Sequence, residues 1–407
     1  MFEDVPAGQV LDAVACHAFS DPLERAGQRL DGIRALDRLI RAAQAAQAEL
    51  IVDFYEDPQA LHMSGGSDMT TATIAEISLA RNISPGAAGN QFGFALGLSR
   101  LPSVHAALRD GVISEPTAKA VVNETVALDG DALVLFDGEI TDRLTGLTPG
   151  RARLLARRLV IAIDAEAARR REERNRADQR VSLMPELDGV AVLQVRGPAE
   201  QLVAAHKTLE SWALGLRSTG DERPVGTIMV QTLVERLTGR THVDDLDVEI
   251  GVVVGAETLV GADHQPAEID GYGPISPDLA DTIISRAHRA FYRRLITDPL
   301  DHTLVGRDPR RRRFDGPLAG YLKARDRRCR QPGCDCRIRD LDHIRDHQHG
   351  GPTAPDNGQG LCRRSHTFKH LPGWNVTRAK NGDLRWRTAA GRTYTSTTPP
   401  YLVRSRT

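Results

Sequence analysis

The chain has 407 residues, 41% of them hydrophobic and 26% charged, an ordinary globular balance with room for more than one domain. No apolar run approaches the roughly 20 residues that a bilayer span needs, and the N-terminus, MFEDVPAGQVLDAVACHAF, lacks the basic and apolar regions of a signal peptide. The net charge of −1 conceals a split: residues 301–407 hold 23 Lys+Arg against 10 Asp+Glu, an excess of +13, which leaves 30 against 44, or −14, for residues 1–300.

In chain order, Leu23, Ala26, Leu30, Ile33, Leu36, Leu39, Ile40, Ala43, Leu50 and Ile51 recur at helical spacing and predict a long amphipathic helix over 21–56. Asp21 supplies its N-cap and Pro22 its first position. After the Gly/Ser loop at 64–67, helices are predicted near 71–81, 85–98, 103–110, 115–127 and 131–145. Residues 73–98 faintly resemble a helix-turn-helix, through Ala80, Arg81, Asn82, Ile83 and Ser84 followed by Ala87, Ala88, Phe92 and Ala95; simple helix-on-helix packing gives the same pattern. Over 149–177 nine arginines from Arg151 to Arg176 alternate with Glu166, Glu172 and Glu173, the mixing of a solvated helix face. Short strands are predicted at Arg180–Leu183 and Gly189–Val195 around a turn at 185–188, helices near 198–216 and 226–238, a β-branched strand over Val248–Val254, and a helix over Ile275–Tyr292. No solenoid repeat is present. Between about 296 and 317 the periodicity breaks at Thr297-Asp298-Pro299 and at the basic run Arg310–Arg313, and a short helix over Gly316–Arg327 follows. Beyond Trp374, strands are predicted at Trp374–Arg378, Leu384–Thr388 and Arg392–Thr395, with Asn381-Gly382 as a hairpin turn.

The chemistry is concentrated between Cys329 and Trp374, which holds four of the five cysteines and five of the thirteen histidines. Cysteines this crowded, with Cys16 standing apart, do not make a secreted disulfide framework, and a reducing cytoplasmic compartment is expected. Soft and borderline ligands at short spacing point to metal. Asp342 can bind a hard cation and His343 can take a proton from water, the two requirements of metal-assisted phosphodiester hydrolysis. Downstream, His366 and His370 stand four residues apart, a spacing that on a helix puts both imidazoles on one face. The basic excess of the same region predicts a polyanionic partner, nucleic acid. His347 and His349 are read as solvated or as supporting a ligand from behind, not as ligands, and the arginine run 310–313 as either phosphate contacts or solubilising charge.

The order Asp342-His343, Asn357, His366, His370, framed by Cys329, Cys334 and Leu361-Cys362, resembles the HNH endonucleases, over roughly residues 325–375. The resemblance implies a ββα-metal fold, with a hairpin carrying Asp342 and His343, a loop carrying Asn357, and a helix carrying the last histidines. It implies that His343 is the general base and that Asp342 and His366, with His370 as a further ligand, hold a catalytic divalent metal, Mg²⁺ or Mn²⁺. Asn357 would pin the loop that aims His343. Relatives commonly place a cysteine where Arg339 stands here. Cys336 would be the replacement ligand, completing a structural Zn²⁺ site with Cys329, Cys334 and Cys362; the alternative is a site of three cysteines or a degraded one. Arg363 and Arg364, opening the last helix, are read as phosphate contacts, with plain surface charge as the other reading. Residues 250–275, with Leu259-Val260-Gly261 and Gly271-Tyr272-Gly273-Pro274-Ile275, resemble the mostly helical bacterial domain that often precedes HNH modules and has no established activity.

The expected architecture is therefore a mainly α N-terminal domain with a small β element, followed by a small α+β C-terminal module of the ββα-metal (HNH) kind. Its expected parts are an acidic helical domain over 1–297, a basic linker and lead-in helix over 298–328, the nuclease module over 329–375 and a short-strand tail over 376–407. The expected function is metal-dependent phosphodiester cleavage, with DNA preferred to RNA by the resemblance, no membrane partner, and a homo-oligomer compatible with the sequence. The alternative is a zinc-stabilised nucleic-acid-binding protein without catalysis.

Overall fold

A computed structural model describes residues 22–57, 69–186, 188–239, 252–253, 258, 265–269, 272–286 and 314–397. Cys16, the Asp21 cap, the loop at 64–67, the predicted strand outside 252–253, residues 259–261, Gly271, the end of the 275–292 helix, residues 297–299 and the basic run 310–313 lie outside the described residues. The described chain is mainly helical with small antiparallel sheets. Among the described residues no helix is long and apolar enough to cross a membrane. Two compact units emerge: Met1–Arg171 with Leu371–Gly373 and Thr388–Arg392, and Glu172–His370 with Trp374–Arg387 and Thr393–Thr407. The division expected at residue 297 falls inside the second unit.

The first unit is a helical bundle. Its helices are α1 (Pro22–Glu56), α2 (Met69–Ala80), α3 (Pro85–Ser99), α4 (Pro102–Arg109), α5 (Glu115–Thr125), α6 (Gly130–Thr141), α7 (Pro149–Ile163) and the start of α8 (Ala165–Ala177). Proline opens α1, α3, α4 and α7, where its missing N–H costs no intrahelical bond. Ser84 and Ser114 cap α3 and α5 by accepting the Ala87 and Thr117 N–H groups at 3.3 and 3.4 Å. The buried carboxylate of Asp137 on α6 caps α4 across the bundle, accepting from Ser103 N at 2.8 Å and Val104 N at 3.1 Å. The core runs from Ala45 and Ile51 through Phe92, Leu98, Leu101, Leu108, Val121 and Phe136 to Leu159.

The arginine-rich stretch 149–177 is two helices, because Asp164 interrupts it: φ −145° takes Asp164 out of helix, and its Oδ1 accepts Ala167 N at 2.8 Å to start α8. The helix-turn-helix likeness at 73–98 is a packing pattern. α3 buries Ala88, Phe92 and Ala95, and its exposed face carries Ala87 and Gly93 with no cation for phosphate. Phe136, wholly buried at the bundle centre, is expected to cost about 3–5 kcal/mol on replacement by alanine, through lost burial and the cavity left behind. Urea unfolding of Phe136→Ala should show that loss as a lower midpoint at unchanged slope.

The second unit begins with an antiparallel hairpin, β1 (Arg180–Pro185) and β2 (Ala191–Arg196), in the register Val181↔Val195 and Leu183↔Leu193. A helical pair follows, α9 (Ala199–Ser218) and α10 (Val225–Thr238), closed by Gly239 in the left-handed conformation, with Arg236 over the Trp212 ring at 5.7 Å. A small sheet, β3 (Val252–Val253), β4 (Ala267–Ile269) and β5 (Gly273–Ile275), packs Ala267 and Ile275 on Ala280 of α11 (Pro277–Arg286). Then come α12 (Gly316–Asp326), the hairpin β6 (Asp340–His343) and β7 (Gly358–Leu361), the short helix α13 (Arg363–Lys369), and a meander β8 (Asn375–Arg378), β9 (Leu384–Arg387) and β10 (Thr393–Ser396). The alternation Val376, Leu384, Trp386 fills the inner face of that meander, as period-two patterning requires.

Candidate metal centre

The centre is built on β6 and β7, paired as Asp342↔Gln359 and His343↔Gly358. The end of α12 clamps this hairpin. Arg325 and Asp326 form a buried bidentate pair at 2.7 and 3.0 Å; Asp326 Oδ2 accepts Gly360 N at 2.7 Å, and Arg325 donates to Gly358 O at 2.7 Å and Pro355 O at 2.6 Å. Arg330 Nη1 adds 3.1 Å to Asp326 Oδ1. Such a buried pair is tolerated because its remaining donors and acceptors are satisfied by backbone. The result is a rigid β7 and a fixed turn before it. Gly358 is required there, because a Cβ would stand 2.6 Å from Leu322 and 2.9 Å from Phe314.

Asn357 ends the turn at 355–357 and is buried. Its Oδ1 accepts Arg345 N at 2.9 Å, and its Nδ2 donates to Arg345 O at 2.9 Å and Pro352 O at 2.8 Å. The loop from Arg345 to Pro352 is therefore tied to β7 by one side chain. Gly351 permits the approach, since a Cβ there would lie 1.8 Å from Arg345 O. His347 and His349 are exposed in this loop.

Asp342, His366 and His370 converge, with one ligand atom from each lying within 4.8 Å of the others. His366 Nε2 is 3.6 Å from Asp342 Oδ1, and its Nδ1 is 3.5 Å from Asp340 Oδ2. The Asp342 carboxyl is held down at about 2: burial pushes it up, and the hydrogen bond from His366 with the charge and hydrogen bond of Lys369 outweighs this. The bond to Asp342 raises the His366 imidazole above its ordinary value. His370 is not on the helix, as the i, i+4 spacing implied; α13 ends at Lys369 and His370 is its C-cap, donating N–H to Thr367 O at 3.1 Å. Its ring still reaches the cluster, 5.3 Å from that of His366. One carboxylate oxygen and two imidazoles form a set that suits a divalent cation with open positions.

His343 ends β6, beside this cluster. Its Nε2 lies 2.8 Å from Thr353 Oγ1, and its ring is tilted against Phe314 at 4.4 Å between centroids. Burial lowers its pKa, with Asp342 opposing, so the imidazole is neutral at neutral pH. If Nε2 carries the proton to Thr353, Nδ1 is left as the base. Arg363 is exposed, with Nε 3.3 Å from Asp340 Oδ2; Arg364 is exposed on the same first turn of α13.

A second cluster lies on the other side of Cys362. The sulfurs of Cys329, Cys334 and Cys362 lie within 4.8 Å of one another, all three buried. These three cysteines could hold a metal ion. Cys334 Sγ and Cys362 Sγ are 3.9 Å apart. Cys336, half-buried, falls outside that trio, yet its thiol interacts with those of Cys334 and Cys362. Buried Ser365 completes the surround, with Oγ 3.1 Å from Cys362 Sγ and 3.8 Å from Cys334 Sγ. Hydrogen bonds from Cys329, Cys334 and Cys336 hold the Cys362 thiol below its ordinary value. Hydrogen bonds with Cys329, Cys336 and Cys362, and then burial, push the Cys334 thiol up. Cys329 is pushed up to about 11, the bond from Cys334 lowering it and Cys362 with burial outweighing that. A cluster of buried, mutually hydrogen-bonded thiols is the donor chemistry of a zinc site before metal displaces the protons.

Sequence reading missed Asp340, Thr353 and Lys369. Asp340 is two residues from Asp342, so strand alternation puts both on one face of β6, and that signal was available. Lys369 was not legible, because its partners lie 23 to 27 residues away.

The family described as "Domain of unknown function (DUF222)" matches residues 33–326. The chain belongs to the DUF222 family. The match spans the boundary between the two units and stops at the end of α12, just before Cys329. Among relatives, the uncharacterized protein Rv3776 of Mycobacterium tuberculosis (strain H37Rv) is 27% identical over 429 residues, covering 93% of this chain and 82% of that protein. The uncharacterized proteins MT2160 and Rv2100 of Mycobacterium tuberculosis (strains CDC 1551 and H37Rv) are each 37% identical over 82 residues, 19% of this chain and 15% of theirs. No solved structure matches. This DUF222 chain therefore carries both clusters beyond the residues that define its family.

Proposed function

We propose that this DUF222 protein is a metal-dependent endonuclease of the HNH kind, acting on phosphodiester bonds of DNA through its C-terminal module. The observation that carries the reading is the convergence of Asp342, His366 and His370 beside His343, on a hairpin whose loop is fixed by Asn357. Asp342, His366 and His370 would hold a divalent cation, Mg²⁺ or Mn²⁺. When bound, it supplies charge neutralisation at the scissile phosphate. The chain does the rest. His343 takes the proton of the attacking water at Nδ1, with Nε2 steadied by Thr353. Asn357 keeps the loop from Arg345 to Pro352 in place and so sets the direction of His343. Asp340 holds Nδ1 of His366 so that Nε2 faces Asp342, the usual division of labour around a ligating imidazole. Arg363 and Arg364 meet neighbouring phosphates, and the +13 excess of residues 301–407 draws the module to the polyanion.

A structural Zn²⁺ at Cys329, Cys334 and Cys362, with Cys336 as the fourth thiolate, would staple the strand of Leu361 to the loop before β6. The test of the nuclease reading is nicking of supercoiled plasmid by purified protein. The expected result is nicking with Mg²⁺ or Mn²⁺, abolished by excess EDTA and weakened steeply by salt. DNA binding that keeps its salt dependence while no metal supports cleavage of DNA or RNA would instead establish a zinc-stabilised binding protein.

A further inference from the structure

Lys369 presents an unusual arrangement. It is almost fully buried on α13, between two members of the Asp342, His366, His370 cluster. Its ammonium lies 2.8 Å from Asp342 Oδ2, 2.8 Å from Asp346 Oδ1, and in hydrogen-bond contact with the backbone carbonyl of His343. Two carboxylate oxygens and a carbonyl are the ligand set of a hard divalent cation, and an ammonium satisfies the same set with one positive charge and three donors. A buried lysine costs several kcal/mol unless paired, and here both carboxylates offset that cost.

We propose that the Lys369 ammonium stands where a second divalent cation would otherwise bind, so that the centre holds one metal and Asp342 offers it a single oxygen. This inference rests on the nuclease reading and deepens it. Oδ2 of Asp342 is taken by Lys369 and by Gln359 Nε2 at 3.4 Å, while Oδ1 is the oxygen 3.6 Å from His366 Nε2. The lysine also bridges β6, the Asp346 loop and α13, so one residue sets the ligand geometry and fixes the backbone that carries the His343 ring. Lys369 also offsets one of the two negative charges of Asp342 and Asp346, which lowers the attraction of this oxygen set for a further cation. Removing the lysine leaves two carboxylates and a carbonyl around a vacated, oxygen-lined position, and the attraction for a second cation rises accordingly.

The experiment counts Mn²⁺ bound to the full-length protein, after EDTA dialysis, by calorimetry and by electron paramagnetic resonance. Wild type should bind one Mn²⁺, lost in Asp342→Asn. Lys369→Met should bind two, with the spin coupling of neighbouring ions, and its cleavage should fall by roughly 10–100-fold, the usual consequence of disturbing a ligand's support. Lys369→Met with Asp346→Asn, which removes one of the three oxygens' charge, should return to one. If Lys369→Met does not fold by circular dichroism, Lys369→Gln carries the same count, since it drops the charge and keeps a polar contact. A folded variant without the lysine that binds one Mn²⁺ at wild-type affinity overturns the proposal and leaves the nuclease reading intact. Wild type that binds no Mn²⁺ at Asp342 and cleaves nothing overturns both.

Discussion

Replacing His343 by alanine is expected to reduce plasmid cleavage by on the order of 10²–10⁴-fold, the usual contribution of a positioned general base. The fold, the metal complement and the affinity for DNA should survive, because the His343 side chain touches Thr353, Phe314 and His347 and is not one of the clustered ligand atoms. That combination separates a base from a ligand: Asp342→Asn or His366→Ala should lose the metal as well as the activity. The pH profile adds a directional test. Burial lowers the His343 pKa, so its neutral, basic form persists to pH values below the ordinary imidazole midpoint of about 6.5. The acid limb of the cleavage rate should therefore lie below that midpoint and vanish in His343→Ala. Thr353→Val, which removes the hydroxyl and keeps the shape, should leave binding unchanged and lower the rate by loosening the imidazole orientation. Cleavage by His343→Ala at the wild-type rate, in preparations free of contaminating nuclease, would falsify the assignment.

Legibility in the sequence tracked how local the governing interactions are. The starts of α3 and α5 were readable because Ser84-Pro85 and Ser114-Glu115-Pro116 carry the cap and the proline in adjacent positions. The Asn381-Gly382 turn and the strands beside it were readable for the same reason, with Gly382 at φ 85°. Asp164 was equally local, a capping residue three positions before the Ala167 N–H it accepts, and the arginine pattern around it masked the signal. The candidate site divides in the same way. Residue types at characteristic spacing pointed to Asp342, His343, His366, His370 and the cysteines, the family resemblance added Asn357, and the structure brings Asp342, His366 and His370 together. Residues that act through them depend on convergence. Thr353 meets His343 only because Asn357 folds the intervening loop, and Lys369 meets Asp342 and Asp346 only because α13 packs against β6. The buried Arg325–Asp326 pair that clamps β7 has no pattern of its own in the sequence, since a neighbouring Arg and Asp are ordinary surface residues until the fold covers them.

If the cysteine cluster holds zinc as proposed, loss of that metal is expected to have the largest structural effect of any single change. Structural zinc contributes on the order of 10–16 kcal/mol of apparent binding energy at neutral pH, which rivals the whole stability of a domain at about 5–15 kcal/mol. Cys362→Ser is the most damaging case, because Cys362 has three jobs. It follows β7, it is the thiol whose pKa Cys329, Cys334 and Cys336 hold down, and it caps α13 by accepting Ser365 N at 3.4 Å. Its replacement should release zinc, expose Trp374 and Trp386 to water, and abolish cleavage, since α13 carries His366 and leads into His370. Elemental analysis and tryptophan fluorescence read the first two effects directly. Cys336→Ser discriminates between three and four thiolates: with four, zinc is lost or exchanges far faster; full retention would leave Cys329, Cys334 and Cys362 as the protein's thiolate ligands. The pH dependence has a definite sign. Cys329 is raised to about 11 and Cys334 is raised as well, so these two thiols hold their protons at neutral pH and zinc must displace them. Each displaced proton weakens binding as pH falls, and zinc should leave, with the module unfolding, on the acid side of neutrality rather than the alkaline side.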